Sequence, residues 1–209
     1  MIIGTMFFGA VKKVEGQYIE TKFIVIGIPI APISSMLVLG SGVSSRHGYE
    51  IPLHSTSVIA GYTRVISAVA CFTCLVVGWL VKENTALMWG LALLIPALYF
   101  NLIFGKATQD EIAGRSKLGN AIGIYALPEW FEDKATASRL MRNLAQEYSL
   151  QYSVEDWRQE LDKQGLTNDQ LKLLYAIAAF NYQVSPTPAN DQLYAKADEM
   201  YVASGQIYY

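Results

Sequence analysis

Arg64 to Phe104 reads RVISAVACFTCLVVGWLV (64–81), KENT (82–85) and ALMWGLALLIPALYFNLIF (86–104). Two apolar runs of nearly equal length are thus separated by four polar residues. At about 1.5 Å per helical residue, each run is long enough for a hydrocarbon core of about 30 Å. Helix is the conformation that leaves no main-chain group unpaired in lipid. A four-residue loop forces the two helices to run antiparallel, with spans expected at about 64–81 and 86–104.

Asn84 is the mirror point of this hairpin. Trp79 lies five residues before it and Trp89 five after, which sets both indoles at one membrane–water interface. Gly78 and Gly90 are symmetric in the same way. Ala70, Cys74 and Gly78 form a stripe of small residues at four-residue spacing, and such stripes let helix backbones approach closely in lipid. The stripe packs the hairpin on itself or meets a partner helix. Pro96 removes one ladder bond and is expected to kink the second span. Arg64, at the start of the first, is expected to anchor it by reaching lipid phosphates. The Cys71-x-x-Cys74 spacing matches a redox dithiol, but a thiolate at mid-bilayer is heavily penalised, so packing is the simpler reading.

Charge is unevenly distributed. Of 209 residues 16% are charged, against about 25% in ordinary soluble domains. Residues 1–105 hold six Lys or Arg and four Glu, a net of +2, whereas the rest of the chain carries −4. An acidic second half argues against nucleic acid, which requires uncompensated basic residues. With Arg64 before the hairpin and Lys106, Arg115 and Lys117 after it, the positive-inside rule places both termini in the cytoplasm. Two cysteines exclude a disulfide framework. Residues 1–10 lack a basic start and are broken by glycines, so they are read as part of the mature fold rather than as a secretory signal.

Residues 23–40 are apolar enough for hydropathy alone to suggest a third span, but Pro29 and Pro32 would fall inside that helix and the β-branched residues favour strands. Strand-like runs at Ile2–Val11, Tyr18–Ile28 and Gly48–Leu53 lead to a small β-rich module over residues 1–56, pressed on the membrane surface with its Ile-rich edge dipping into the interface. A re-entrant segment or third span is the alternative. His54-Ser55-Thr56-Ser57 is expected to cap the first long helix near Val58.

Glu20-Thr21-Lys22-Phe23, Ile28-Pro29-Ile30-Ala31-Pro32 and Ile51-Pro52-Leu53, ahead of a Ser-initiated span, resemble the amino-terminal pattern of a group of uncharacterised bacterial membrane proteins. The resemblance covers about the first 65 residues. It implies a bacterial membrane protein and carries no activity with it.

From residue 106 the pattern becomes that of soluble amphipathic helices. Thr108-x-x-Glu111 is a capping box. Leu127-Pro128-Glu129-Trp130 marks a second start, followed by a stripe of Leu140, Leu144 and Tyr148. Ser153 to Asp156 caps a segment with Trp157 and Leu161, and Gly165 stops it. Thr167 opens a helix striped by Leu171, Leu174, Tyr175, Ala178 and Tyr182. Asn190 or Asp191 caps the last, with Leu193, Ala197, Met200 and Tyr201 on one face. Four or five helices in 106–209 can bury a core of their own. Eight of the thirteen tyrosines follow residue 147. Most belong on core stripes, while Tyr194, Tyr201, Tyr208 and Tyr209 are candidates for docking a partner, since Tyr is enriched where proteins meet.

The chemical motifs are sparse. His47 and His54 have no carboxylate or cysteine at ligand spacing, so no metal is expected. No nucleotide loop or nucleophile elbow occurs, and no cofactor is implied. The expected architecture is a mainly α membrane protein, with a two-helix transmembrane hairpin between a β-rich amino-terminal module and a cytoplasmic α-helical bundle. The expected function is a non-catalytic scaffold in the cell inner membrane, meeting lipid and either a protein partner or further copies of itself. A channel or transporter subunit, with Pro29, Pro32 and Pro96 marking broken helices, is one alternative. A lipid-acting interfacial enzyme using His54 or Glu129 is another.

Overall fold

A computed structural model describes residues 4–41, 46–82, 84–163 and 165–205. An amino-terminal antiparallel β-sheet is followed by helices, two of which are long and apolar enough to cross a membrane. The chain divides into two compact units, residues 1–107 and 108–209.

The first unit opens with a four-stranded meander in the order β1-β2-β3-β4, comprising β1 (Gly4–Val14), β2 (Gln17–Ile26), β3 (Ile28–Ser41) and β4 (Arg46–Ile51). Alternation drives it. Ile19, Thr21 and Phe23 recur at every second position of β2 and are buried. The β1–β2 turn is only Glu15-Gly16, with φ of 47° and 82°, the doubly positive pair that matches strand twist in a tight hairpin. β1 runs on to Val14, three residues past the end of the strand-like run expected at Ile2–Val11. Gly27, at φ 77°, alone separates Ile26 from its partner Ile28.

Residues 23–40 are therefore strands. No helical third span forms there, consistent with two prolines and a β-branched run. β1 contains register shifts between Phe8 and Val11 and between Val11 and Val14. Gly9 and Lys12 there adopt positive φ, and these bulges turn the strand toward its helical neighbours.

Helix α1 (Ser55–Val81) begins three residues earlier than the expected Val58. His54 occupies the cap position without a side-chain bond to the helix, so the expected hydroxyl cap is absent. Lys82, in the left-handed conformation, ends α1 with its N–H bonded to the Gly78 carbonyl. Helix α2 (Asn84–Leu102) follows, containing Pro96.

The second unit comprises α3 (Gln109–Ile122), a 3-10 turn (Pro128–Trp130), α4 (Lys134–Tyr152), α5 (Trp157–Glu160), α6 (Asn168–Val184) and α7 (Pro188–Ala203). Its axis is α6, buried from Leu174 through Asn181 on every side. Ala176, Ala178 and Ala179 are small enough for α4, α7 and α3 to close around it. Phe131 meets Phe180 edge to face, with centroids 5.2 Å apart.

Caps were partly legible in advance. Thr108 accepts from the Glu111 N–H at 3.3 Å, and Thr167 forms a full capping box with Gln170. Elsewhere the structure corrects the expectation. Ser153 is the left-handed end of α4, and Asp156 caps the single turn of α5. Thr187, not Asn190 or Asp191, caps α7, because Pro188 takes the first-turn position to which its fixed φ is suited.

Candidate membrane-anchoring site

The junction between the sheet and α1 is built on small residues and hydroxyls. A Cβ on Gly9 would overlap the Ser57 carbonyl, and one on Gly61 would stand 2.8 Å from the Phe23 ring. Strand and helix backbones therefore touch directly. Inside the contact, Thr21 Oγ1 lies 2.8 Å from Ser35 Oγ and donates to Ser57 Oγ at 2.9 Å. Ser57 Oγ in turn donates to the Gly9 carbonyl at 2.8 Å, and the His54 N–H donates to Ser35 Oγ at 3.0 Å. All three hydroxyl residues are fully buried. One connected polar network thus joins β1, β2, β3 and the start of α1. A buried hydroxyl without a partner costs about 1–3 kcal/mol, so the network is kept only if it stays complete.

Arg64 completes the junction two turns further along. Its Nε donates to the Phe100 carbonyl at 2.7 Å, Nη1 to the Ala10 carbonyl at 2.7 Å and Nη2 to the Phe104 carbonyl at 3.3 Å. Two of these acceptors lie at the carboxy-terminal end of α2, where carbonyls lack intrahelical donors and a cation is favoured. The third is on β1. One guanidinium therefore ties both long helices to the sheet, and these three N–H groups are directed into the protein rather than at phosphates. Beside it, the Lys12 N–H donates to the Gly105 carbonyl at 2.6 Å. Gly105, at φ 80°, sits against Val11.

Beyond Arg64 the helices meet along a narrow seam. Buried positions on α1 are Ser57, Ala60, Gly61, Cys71 and Gly78, and on α2 Gly90 and Ala97. A Cβ on Gly78 would lie 2.7 Å from the Leu87 nitrogen, and one on Gly90 2.6 Å from Leu75 Cδ2. Each glycine receives a leucine from the other helix. Cys71 Sγ approaches the Gly90 carbonyl at 3.4 Å. Ala70 and Cys74 are half-buried beside this line. Ser57, Arg64, Cys71 and Gly78 repeat every seven residues, the period of close antiparallel packing, so the seam is better described by that repeat than by the four-residue stripe.

Many of the large apolar side chains of the hairpin face outward. Trp79 is 74% exposed and Trp89 64%, both near the Asn84 end, with Phe72, Leu80, Met88 and Ile95 equally bare.

In the second unit, charge is consumed internally. Arg115 is fully buried. Its Nε donates to the Tyr125 carbonyl at 2.8 Å, its guanidinium lies 5.1 Å over Trp130, and Glu111 stands 3.8 Å away. Burial lowers its pKa to about 10, and Glu111 opposes the shift. Lys117 bonds both Asp198 oxygens, at 2.7 and 2.9 Å. Two cations counted in the expected membrane orientation thus also hold the helical fold together.

The tyrosines form a ladder between α6 and α7. Tyr175 stacks on Tyr201 with centroids 5.0 Å apart, and Tyr182 on Tyr194 at 6.0 Å. Burial raises the pKa of Tyr175, Tyr194 and Tyr201, and pushes Tyr148 up to about 12. Tyr201 has no exposed surface, so it packs the core and offers nothing to a partner. Tyr194 is half-buried. Tyr208 and Tyr209 lie outside the described residues.

Of the two residues considered for catalysis, His54 lies in the first unit at the start of α1, and Glu129 lies in the second, exposed on the 3-10 turn. Among the described residues, no group of three His, Cys, Asp or Glu is placed to hold a metal ion. What the sequence did not reveal is the role of Thr21, Ser35 and Ser57. The only signal is a hydroxyl at an inward position of otherwise apolar segments. Compared with known proteins, the chain matches no family model, no curated protein and no solved structure.

Proposed function

We propose that the first unit is a membrane anchor in a bacterial inner membrane. The α1–α2 hairpin crosses the bilayer, and the helical second unit stands on the cytoplasmic side as a non-catalytic scaffold for a protein partner or further copies of the chain. The observation that carries this is the bare hairpin. Its large apolar side chains point away from the protein along most of two helices, and each left in water costs roughly 1.5–3 kcal/mol relative to burial. A hairpin with only 11% of either apolar window buried within its own chain requires an apolar surrounding, and a bilayer is the one its length fits.

Orientation rests on Lys12, Lys13, Lys22 and Lys106 at the sheet end, against the single Lys82 at the Asn84 end. Arg115 and Lys117, within about fifteen residues of the end of α2, add to the same side. Both termini then lie in the cytoplasm, on the same side as the sheet.

Two measurements test the reading. A reporter fused after Tyr209 should be active in the cytoplasm, and an external protease should cut only near Asn84. Extraction in mild detergent should then yield a stoichiometric complex or homo-oligomer. A soluble protein after lysis would overturn the anchor, and a lone monomer the scaffold.

A further inference from the structure

Resting on the membrane reading above, we propose that the β2–β3 hairpin tip, residues 24–33, is immersed in the headgroup–acyl boundary of one leaflet beside α1. The first unit would then grip the bilayer at two places.

The tip is apolar and bare. Ile24, Ile28, Ile30 and Ile33 are 37%, 52%, 49% and 47% exposed, and Met6, whose register partner is Phe23, is 54% exposed. Two register shifts leave Ile30 and Ile33 without a β2 partner, so each adds an isoleucine to this surface. No charged residue occurs from Phe23 to Ser45 or from Met1 to Val11. The charges of β1 and β2, at Lys12, Lys13, Glu20 and Lys22, all lie on the other side of that limit. The sheet is therefore divided across its strands into a charged end and an apolar end.

The apolar end also points along the anchor. Thr21 bonds Ser57, whereas Phe23, two residues closer to the tip, packs edge to face on Tyr62, with centroids 5.2 Å apart. Moving toward the tip thus follows α1 toward its apolar run. Tyr62 Oη donates to the Ile30 carbonyl at 2.7 Å, which fixes the tip near that level. On α1 itself, Ile59 and Ile66 on either side of Tyr62 are 48% and 61% exposed.

The strand edge selects lipid over protein. β4 pairs with β3 only from Ser35 onward, so the outer edge of residues 28–34 has no neighbouring strand among the described residues. In lipid an unpaired main-chain N–H is costly. Pro29 and Pro32 have none, and the Ile30 carbonyl is taken by Tyr62. The same prolines obstruct an added strand, which would need those donors, so a partner chain or a second copy pairing at this edge is disfavoured.

The test uses the full chain, with Cys71→Ser and Cys74→Ala as background, reconstituted in phosphatidylethanolamine–phosphatidylglycerol vesicles. Nitroxide labels are placed at Ile28→Cys, Ile30→Cys, Leu91→Cys and Glu15→Cys, and their relaxation by oxygen and by a water-soluble nickel chelate is compared. The expected result ranks the oxygen preference Leu91 first, then Ile28 and Ile30, then Glu15. Nickel access at 28 and 30 equal to that at 15, with Leu91 still in lipid, would overturn the proposal and leave the anchor standing. Nickel access at Leu91 would overturn both. Low access to both reagents at 28 and 30 would mean protein covers the tip, which also refutes it. On the unmodified chain, hydrophobic photolabelling should tag a peptide spanning 24–33. Tagging confined to α1 and α2 would count against the proposal.

Discussion

Helices α2 and α6 are close in length and both are rich in apolar residues, yet the protein buries them to very different extents. Within its own unit α6 hides nine residues, whereas α2 hides two, Gly90 and Ala97. The residues chosen show why. Where protein surrounds a helix on all sides, as at Ala176, Ala178 and Ala179, small side chains admit the neighbouring backbones. Where protein touches only one narrow seam, glycine is confined to that seam and Leu, Met and Trp occupy the rest. Apolar content alone does not distinguish the cases. The placement of small residues, all around or on one line, does.

The comparison breaks most readily in alkali. A phenol whose folded pKa is raised contributes stability that is complete below its ordinary value of about 10 and is lost as pH climbs through the folded value. Tyr148 reaches about 12, and Tyr175, Tyr194 and Tyr201 are raised in the same direction. Arg115, lowered to about 10, works the opposite way, its burial cost shrinking above that pH. Four phenols outweigh one guanidinium. In lipid vesicles, the helicity of α3–α7 should therefore collapse above pH 10 in step with tyrosinate absorbance, while the hairpin persists. Simultaneous loss of both would show that the units are not independent.

A matched pair of truncations sharpens the contrast. Phe180→Ala, inside the second unit, should cost about 3–5 kcal/mol. Phe72→Ala, 69% exposed on α1, should change the stability of the reconstituted protein by no more than about 0.5 kcal/mol. Chemical denaturation monitored by hydrogen exchange reads the two separately.

Within the first unit, Arg64→Ala strands three carbonyls and should cost about 2–3 kcal/mol. Amide protection should fall in β1 and at the end of α2 but not in α6. Arg64→Lys should recover only part of it, since an ammonium cannot reproduce the forked geometry. Ser57→Ala should have a smaller effect than Arg64→Ala, about 1–2 kcal/mol. It should be additive with Phe180→Ala and non-additive with Thr21→Ala, because only the latter pair share a network.

These effects also mark the boundary of what could be read in advance. The hairpin was legible because each helix announces itself locally, in unbroken apolar runs mirrored about Asn84. The helix starts at Thr108 and Thr167 were legible for the same reason, since each cap meets a group three residues on. Ser57 and Arg64 were not. The pattern before α1 resembled a helix cap and a basic residue at a membrane edge, and nothing nearby in sequence reveals that Gly9 and Phe100 are the true partners. Nor could the partners of Arg115 and Lys117 be read, since Tyr125 and Asp198 reach them only through the finished packing of another region. Local signals were sound wherever the answer was local. Polar groups inside an apolar setting were unreadable because distant segments decide their partners.

The bond from the Lys12 amide to the Gly105 carbonyl joins the beginning of the first unit almost to its end. A strand made among the earliest residues of this sequence must therefore wait, during synthesis, for the last turn of α2 before its surroundings are complete. The first unit is thus closed by a contact between segments more than ninety residues apart, and β1 is fully paired only once the residues after α2 are in place.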